Sequence, residues 1–258
     1  MRVAILLSGR VKKYNNFLKL LKEYVNKYEI HVFISVNDTW SEFYDILKRQ
    51  FGDLLKDIHV EPYIIHSDFS NNKYLRTHVL PQMTYNTYMM TYNTLSMLYN
   101  DQKCFSMVEK YSEENNIQYD IYVRTRSDII HTSFPFVDYF CNLDKNILYC
   151  INPLNKFTLA ITDNPNDEYR NGRFHVYGNT QYNGKFVTND ISFGNKDNMN
   201  IFCNAYNYYL EMNKKENGNI FIIYENAVTV YLLDIGVNWS FFEFDYQYEL
   251  NRDVPELY

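Results

Sequence analysis

YDIYVRTRSDII, residues 119–130, starts as an apolar strand and ends in charge. Ile121 and Val123 are fit for a core, and the period of two along a strand sets Arg124, Arg126 and Asp128 on one face, alternating with Thr125 and Ser127. Guanidinium and carboxylate groups at the carboxyl end of a buried strand are costly unless paired. In open α/β sheets that end is also where ligands bind. A diphosphate carrying a divalent cation would satisfy both signs of charge, since arginine forks take phosphate oxygens and aspartate takes a hard metal. The alternative is an internal Arg–Asp network that supports a loop. The string alone leaves both open.

Working outward, residues 2–7 form a continuous apolar run, the pattern of a parallel strand buried on both faces, followed by Ser8-Gly9-Arg10. A helical pattern over 13–28 and a second apolar strand over 30–36, ending in Asn37-Asp38, complete a βαβ unit. A second helix over 41–55 leads to a third strand over 58–65, which Pro62 confines to an edge or a bulge. A long helix spans about 84–115, with a possible break at Asn100-Asp101. Asn93, Ser96, Asn100 and Lys103 form a polar stripe on it, either lining a cleft or facing solvent.

Beyond residue 130, strands are expected at 147–151, 185–193 and 237–244. Helices are expected at 198–214 and from Glu225 to Leu233, with a peripheral tail from Tyr246. Residues 67–81 and 157–178 read as loops. The fold class expected is α/β, one domain over 1–258 with a Rossmann-like, mostly parallel central sheet flanked by helices.

Composition narrows the function classes. A net charge of −6 and a pI near 5.5 argue against nucleic acid as a partner, which calls for a basic footprint. Tyr and Phe number 26 and 18, an excess explained first by AT-rich codons and only second by sugar binding. Cys104, Cys141, Cys150 and Cys203 are scattered without a CxxC pair, which disfavours a thiolate zinc site and fits a reducing compartment. No apolar run has the length of a transmembrane span, and MRVAILLSGR reads as a first strand rather than a signal peptide. These features place the chain in the cytoplasm.

Ser8-Gly9-Arg10 is neither GxGxxG nor a P-loop, yet a lone glycine lets backbone amides approach a nucleotide and Arg10 can reach a phosphate. No GxSxG elbow occurs. His31 and His59 read as core or surface histidines, and His131 as a possible metal or phosphate contact. Asp190 and Glu225 fall at element junctions where a carboxylate can deprotonate an acceptor hydroxyl, or where each simply caps a turn or a helix.

The order of these motifs resembles that of GT-A glycosyltransferases of bacteria and large DNA viruses. The matching pieces are the first strand with its Ser-Gly end, HVFISVND, NTLSMLYNDQKC, YDIYVRTRSDI, NDISFGNKDNM and the late Glu225 before a helix, spread over about 2–244. The resemblance implies a nucleotide-binding half over 1–130 and an acceptor-side half over 131–258. It implies transfer of a sugar from a nucleotide-sugar, UDP-linked by default, to a glycan or other hydroxyl acceptor, in the host cytoplasm if the source is viral. Ser8, Gly9, Arg10, Asn37 and Asp38 would then surround base and ribose, and Lys103, Arg124 and Arg126 would approach the phosphates. Asp128 would hold Mn²⁺ or Mg²⁺, with Asp190 and Glu225 on the catalytic side. Arg126-Ser127-Asp128 stands where the family has DxD, so the first acid is replaced by arginine. That departure supports an alternative, a catalytically inactive relative that binds nucleotide-sugars or glycans.

Overall fold

The computed structural model describes residues 1–9, 14–37, 42–61, 85–126, 129–131, 144, 146–151, 187, 191–214, 224–242 and 248–250. Strands β1 (Arg2–Ser8), β2 (Glu29–Asn37), β3 (Leu55–Glu61) and β4 (Ile121–Thr125) are joined by β6 (Leu148–Ile151), β7 (Ile191–Gly194) and β8 (Trp239–Phe242). They form one seven-stranded sheet in the order β3-β2-β1-β4-β7-β6-β8. β1 runs parallel to β2 and β4, β2 parallel to β3, and β6 parallel to β8; β7 alone runs antiparallel to its neighbours β4 and β6. The expected α/β class with a mostly parallel central sheet is what the chain adopts, and both halves of the sequence contribute strands.

The continuous apolar runs of β1 and β2 follow from burial on both faces. Val3, Ile5, Leu7, Ile34, Ile121 and Val123 pack against α1 (Asn15–Tyr24) and α2 (Glu42–Phe51), through Phe17, Leu21, Leu47 and Phe51. The alternate residues Ala4, Leu6, Phe33 and Tyr122 face the opposite layer. That layer is built from α3 (Tyr85–Asn115), α4 (Lys196–Cys203), α5 (Ala205–Lys214) and α6 (Tyr224–Asp234). β3 is the edge strand expected from Pro62, but it covers 55–61, and its irregularity lies earlier, at the register shift opposite Val32 and Phe33.

Other expectations change. Residues 119–130 are not one strand: β4 stops at Thr125, and β5 (Ile129–His131) joins a separate two-stranded sheet. Its partner is β9 (Tyr248–Leu250), so the C-terminal tail is tied antiparallel to the end of the focal stretch. The long helix has no break at Asn100-Asp101; its 31 residues span about 46 Å. It closes at Asn116, which takes a positive φ of 51° while the Ile117 N–H reaches the Ser112 carbonyl.

The second expected helix, 198–214, begins two residues earlier and is divided at Asn204. The Asn195 side chain accepts from the Asn198 N–H at 2.9 Å and caps its start. Gly194, just before that cap, is glycine for space: a Cβ there would lie 3.0 Å from the Asn198 Cβ. The loops expected at 67–81 and 157–178 lie outside the described residues, as do Cys141 and His175.

His31 is a core histidine. Its Nδ1 lies 2.7 Å from the Tyr119 hydroxyl, with the Tyr111 and Tyr119 rings edge-on to it. Burial, chiefly, pushes its pKa down to about 4; nearby Lys56 adds to this and Glu29 opposes it. Below the ordinary histidine pKa the unfolded chain therefore binds a proton that the folded chain resists. Stability should fall as pH drops from about 6.5 towards 4, and level off where folded His31 also protonates. A His31→Gln variant should show a flatter pH dependence of its urea midpoint across this window. An identical slope would assign the acid sensitivity to other groups.

Candidate active site at the carboxyl ends of β1, β2 and β4

The sheet reverses direction of winding at β1: β2 and β3 lie to one side, β4 to the other. Such a switch point leaves a crevice beyond the carboxyl ends of the strands that flank it. The register sets Leu6 beside Arg124 and Leu7 beside Thr125, so one further step brings Ser8 level with Arg126. On the other side Ser8 pairs with Ser35, two residues before Asn37.

Beneath these strand ends lies a buried charge network. Arg124 and Ser8, alternate residues on the face that α3 covers, are 0% and 1% exposed. Arg124 Nε donates to Asp101 Oδ1 at 2.8 Å and to Ser8 Oγ at 3.1 Å. The Ser8 hydroxyl donates to the same Asp101 oxygen, and the Tyr224 hydroxyl donates to Asp101 Oδ2. The Arg124 guanidinium sits over the Tyr224 ring, 5.1 Å from its centroid. Burial opposes the arginine's charge, and Asp101 with Tyr224 more than offsets it, so Arg124 is held firmly protonated. Burial in turn drives the Tyr224 hydroxyl well above its ordinary pKa, keeping it a donor.

The Arg–Asp network considered from the sequence is therefore real for Arg124, but its acid is Asp101 from α3. The expected phosphate contact gives way at Arg124 to an internal ion pair, because α3 lays a carboxylate over that face of the sheet. Ser8 is drawn into the same network. Asp101 and Tyr224 were not among the expected site residues. Asp101 had a legible signal, a lone charge on the helical stripe Leu98, Cys104, Phe105 and Val108, all buried. Tyr224 had none.

A second polar group lies at the end of β2. Ser35 Oγ donates to Asn100 Oδ1 at 2.9 Å, and Asn100 Nδ2 donates to Asn37 Oδ1 and to the Ser96 carbonyl. Asn100 and Ser96 are 1% and 4% exposed, so these two residues of the α3 polar stripe turn inward over the strand ends instead of facing solvent. Asn37 Nδ2 is a buried donor without a hydrogen-bond partner among the described residues.

Gly9 closes β1 with φ +93°, its N–H bonded to the Ser35 carbonyl at 3.1 Å, and no described residue within 4 Å of where a Cβ would stand. Its glycine is needed for the left-handed turn rather than for space. Arg126 is half-buried directly beyond β4. The structure thus brings together Ser8, Gly9, Asn37, Arg124 and Arg126. Lys103 is not with them: it lies on the other side of α3, in a groove with Gln102, Ser106 and Asn204.

Arg10, Asp38, Asp128 and Asp190 lie outside the described residues; Glu225 is placed only through its backbone, next to Tyr224 in the first turn of α6. Among the described residues no three His, Cys, Asp or Glu side chains converge to hold a metal ion. Among them too, no helix is long and apolar enough to cross a membrane.

No protein-family model and no curated protein matches the chain. Solved structures similar to it include mouse xyloside xylosyltransferase 1 in its apo form, 9% identical over 94% of this chain and 84% of that one, with a TM-score of 0.43. The galactosyltransferase LgtC, in complex with donor and acceptor sugar analogs, is 11% identical over 93% of this chain and 73% of its own, with a TM-score of 0.47. The apo form of the glycosyltransferase GlyE of Streptococcus pneumoniae TIGR4 is 9% identical over 94% of this chain, with a TM-score of 0.43; this chain spans 44% of GlyE. At these scores and identities the likenesses carry no weight for substrate or mechanism.

Proposed function

We propose that the chain is a nucleotide-sugar-dependent glycosyltransferase of GT-A type, working in the crevice beyond β1, β2 and β4. The observation that carries this reading is the convergence at one switch point of the Gly9 turn, the Asn37 amide and the Arg126 exit from β4. In this reading Gly9 and Arg10 lie along the nucleotide, and Asn37 with Asp38 meets base and ribose. Arg126 faces the diphosphate, and Asp128 holds Mn²⁺ or Mg²⁺. A cation there would neutralise charge on the leaving diphosphate. Arg124 and Ser8 act one layer below, fixing the ends of β1 and β4 against α3 and α6.

The glycosyl carbon would leave the diphosphate oxygen and join an acceptor hydroxyl through an oxocarbenium-like state. Asp190 or Glu225 would take the acceptor's proton. UDP is the default donor base. The arginine at the first position of the DxD-like triplet favours a second reading, an inactive relative that binds the nucleotide-sugar without turning it over.

The binding half of the proposal is tested by a thermal-shift series with UDP, GDP, CMP and their sugars, with and without Mn²⁺. Ligand at about a hundred times its dissociation constant adds ~2.7 kcal/mol, a rise of roughly 5–11 °C for a chain of this size. A rise selective for one nucleotide is expected, and one enlarged by Mn²⁺ supports a metal on Asp128. No rise with any nucleotide would remove the reading.

A further inference from the structure

The groove that holds Lys103 is separate from the crevice just described. On α3, Asp101 points into the sheet, while Gln102 and Lys103 follow at about 100° and 200° around the helix axis. They face the layer formed by α4 and its junction with α5, across an open groove of about 510 Å³. That volume lies in the range of small-molecule clefts.

The polar groups of its lining form an unusual pattern. Gln102 Nε2 donates to Asn204 Oδ1 at 3.3 Å, and Asn204 Nδ2 donates to Asn200 Oδ1 at 3.0 Å. This amide relay leaves one acceptor at one end, Gln102 Oε1, and one donor group at the other, Asn200 Nδ2. Neither has another partner among the described residues. The charges on the α3 wall are mixed, with Lys103 and Lys110 against Glu109 and Glu113, and two of them are ion-paired, Glu109 with Lys196 and Lys110 with Glu114. At the upper end stands Tyr99, its ring held edge-to-face by Tyr206 at 5.5 Å and its hydroxyl donating to Glu61 at 3.1 Å.

A ligand complementary to these features carries no net charge, presents groups that both donate and accept, and offers an apolar face to a ring. Adjacent hydroxyls of a sugar meet all three needs: each can accept from the Asn200 amide or donate to the Gln102 carbonyl, and the sugar's C–H face can lie against Tyr99. A polyanion or polycation would meet like charge among the mixed charges of the α3 wall. We propose that the groove between α3 and α4 is a binding site for neutral carbohydrate, distinct from the crevice at the strand ends. From Tyr99 to Glu113 the helix rises about 21 Å, so the groove is long enough to follow an oligosaccharide rather than one ring.

Saturation-transfer difference NMR on the full chain with maltotetraose, cellotetraose and xylotetraose tests this. At least one should bind, and a Gln102→Ala/Asn200→Ala variant should weaken it roughly tenfold or more through loss of two hydrogen bonds. Asn200 is exposed and Gln102 half-exposed, so the variant should keep the wild-type melting temperature. Added UDP with Mn²⁺ should leave the sugar signals in place. The proposal is overturned if none of the tetrasaccharides binds, if the double variant binds them as well as the parent, or if UDP displaces them. The last outcome would move the sugar to the strand-end crevice.

Discussion

Replacing Asp101 with Ala is expected to lower the melting temperature by about 6–20 °C. Asp101 is 1% exposed and accepts from Arg124, Ser8 and Tyr224. Its removal takes the carboxylate at 2.8 Å away from a fully buried guanidinium and the acceptor away from two hydroxyls. Breaking a buried pair from one side costs roughly 3–5 kcal/mol, and each kilocalorie moves the melting temperature of a chain this long by roughly 2–4 °C. Asp101→Asn keeps the shape but not the charge, and should lose most of the same stability. The double change Asp101→Leu/Arg124→Met should recover a large part, because an apolar pair of similar volume needs no compensation. Thermal denaturation of the four proteins decides the matter. A single Asp101→Ala variant melting within a degree or two of the parent would mean that the network contributes little.

Asp128→Ala is expected to act the other way, leaving melting nearly unchanged and lowering sugar transfer by about 10²–10³-fold. The proposal gives Asp128 the cation beside the leaving diphosphate, and losing one preorganised electrostatic partner of a transition state costs on this scale. Arg126→Gln should also slow transfer without unfolding the protein, since Arg126 is only half-buried beyond the end of β4. Arg124→Gln should instead lower the melting temperature on the scale of Asp101→Ala, although only Thr125 separates the arginines. Measuring the melting temperature and transfer rate of all three separates the roles. Full activity in Asp128→Ala would sink the metal-ligand assignment.

These two predictions also show which parts of the chain can be read from its sequence. Apolar runs without alternation announced β1 and β2, because strands buried on both faces have no polar side to show. Pro62 announced the edge position of β3 by its missing N–H. The alternation within β4 sets Arg124 on the face opposite Ile121 and Val123, but it could not say what covers that face. A helix 23 residues upstream supplies the acid, and Tyr224, 100 residues downstream, supplies the ring. Neither pairing follows from local spacing. The α3 stripe shows the same limit: Ser96 and Asn100 look like solvent-facing positions until the carboxyl end of β2 is laid beneath them. Asp101 was the exception, since a carboxylate amid Leu98, Cys104 and Val108 demands a buried partner, and Arg124 is the arginine that a buried strand offers.

The most direct test is to incubate the full chain with UDP-, GDP- and CMP-sugars and Mn²⁺, and to measure nucleotide released, with and without added glycan. The account predicts release from one donor class, faster with an acceptor present, and reduced in Asp128→Ala while the variant still melts like the parent. Selective nucleotide binding with no release under any acceptor would contradict the enzymatic reading and leave a binding protein in its place.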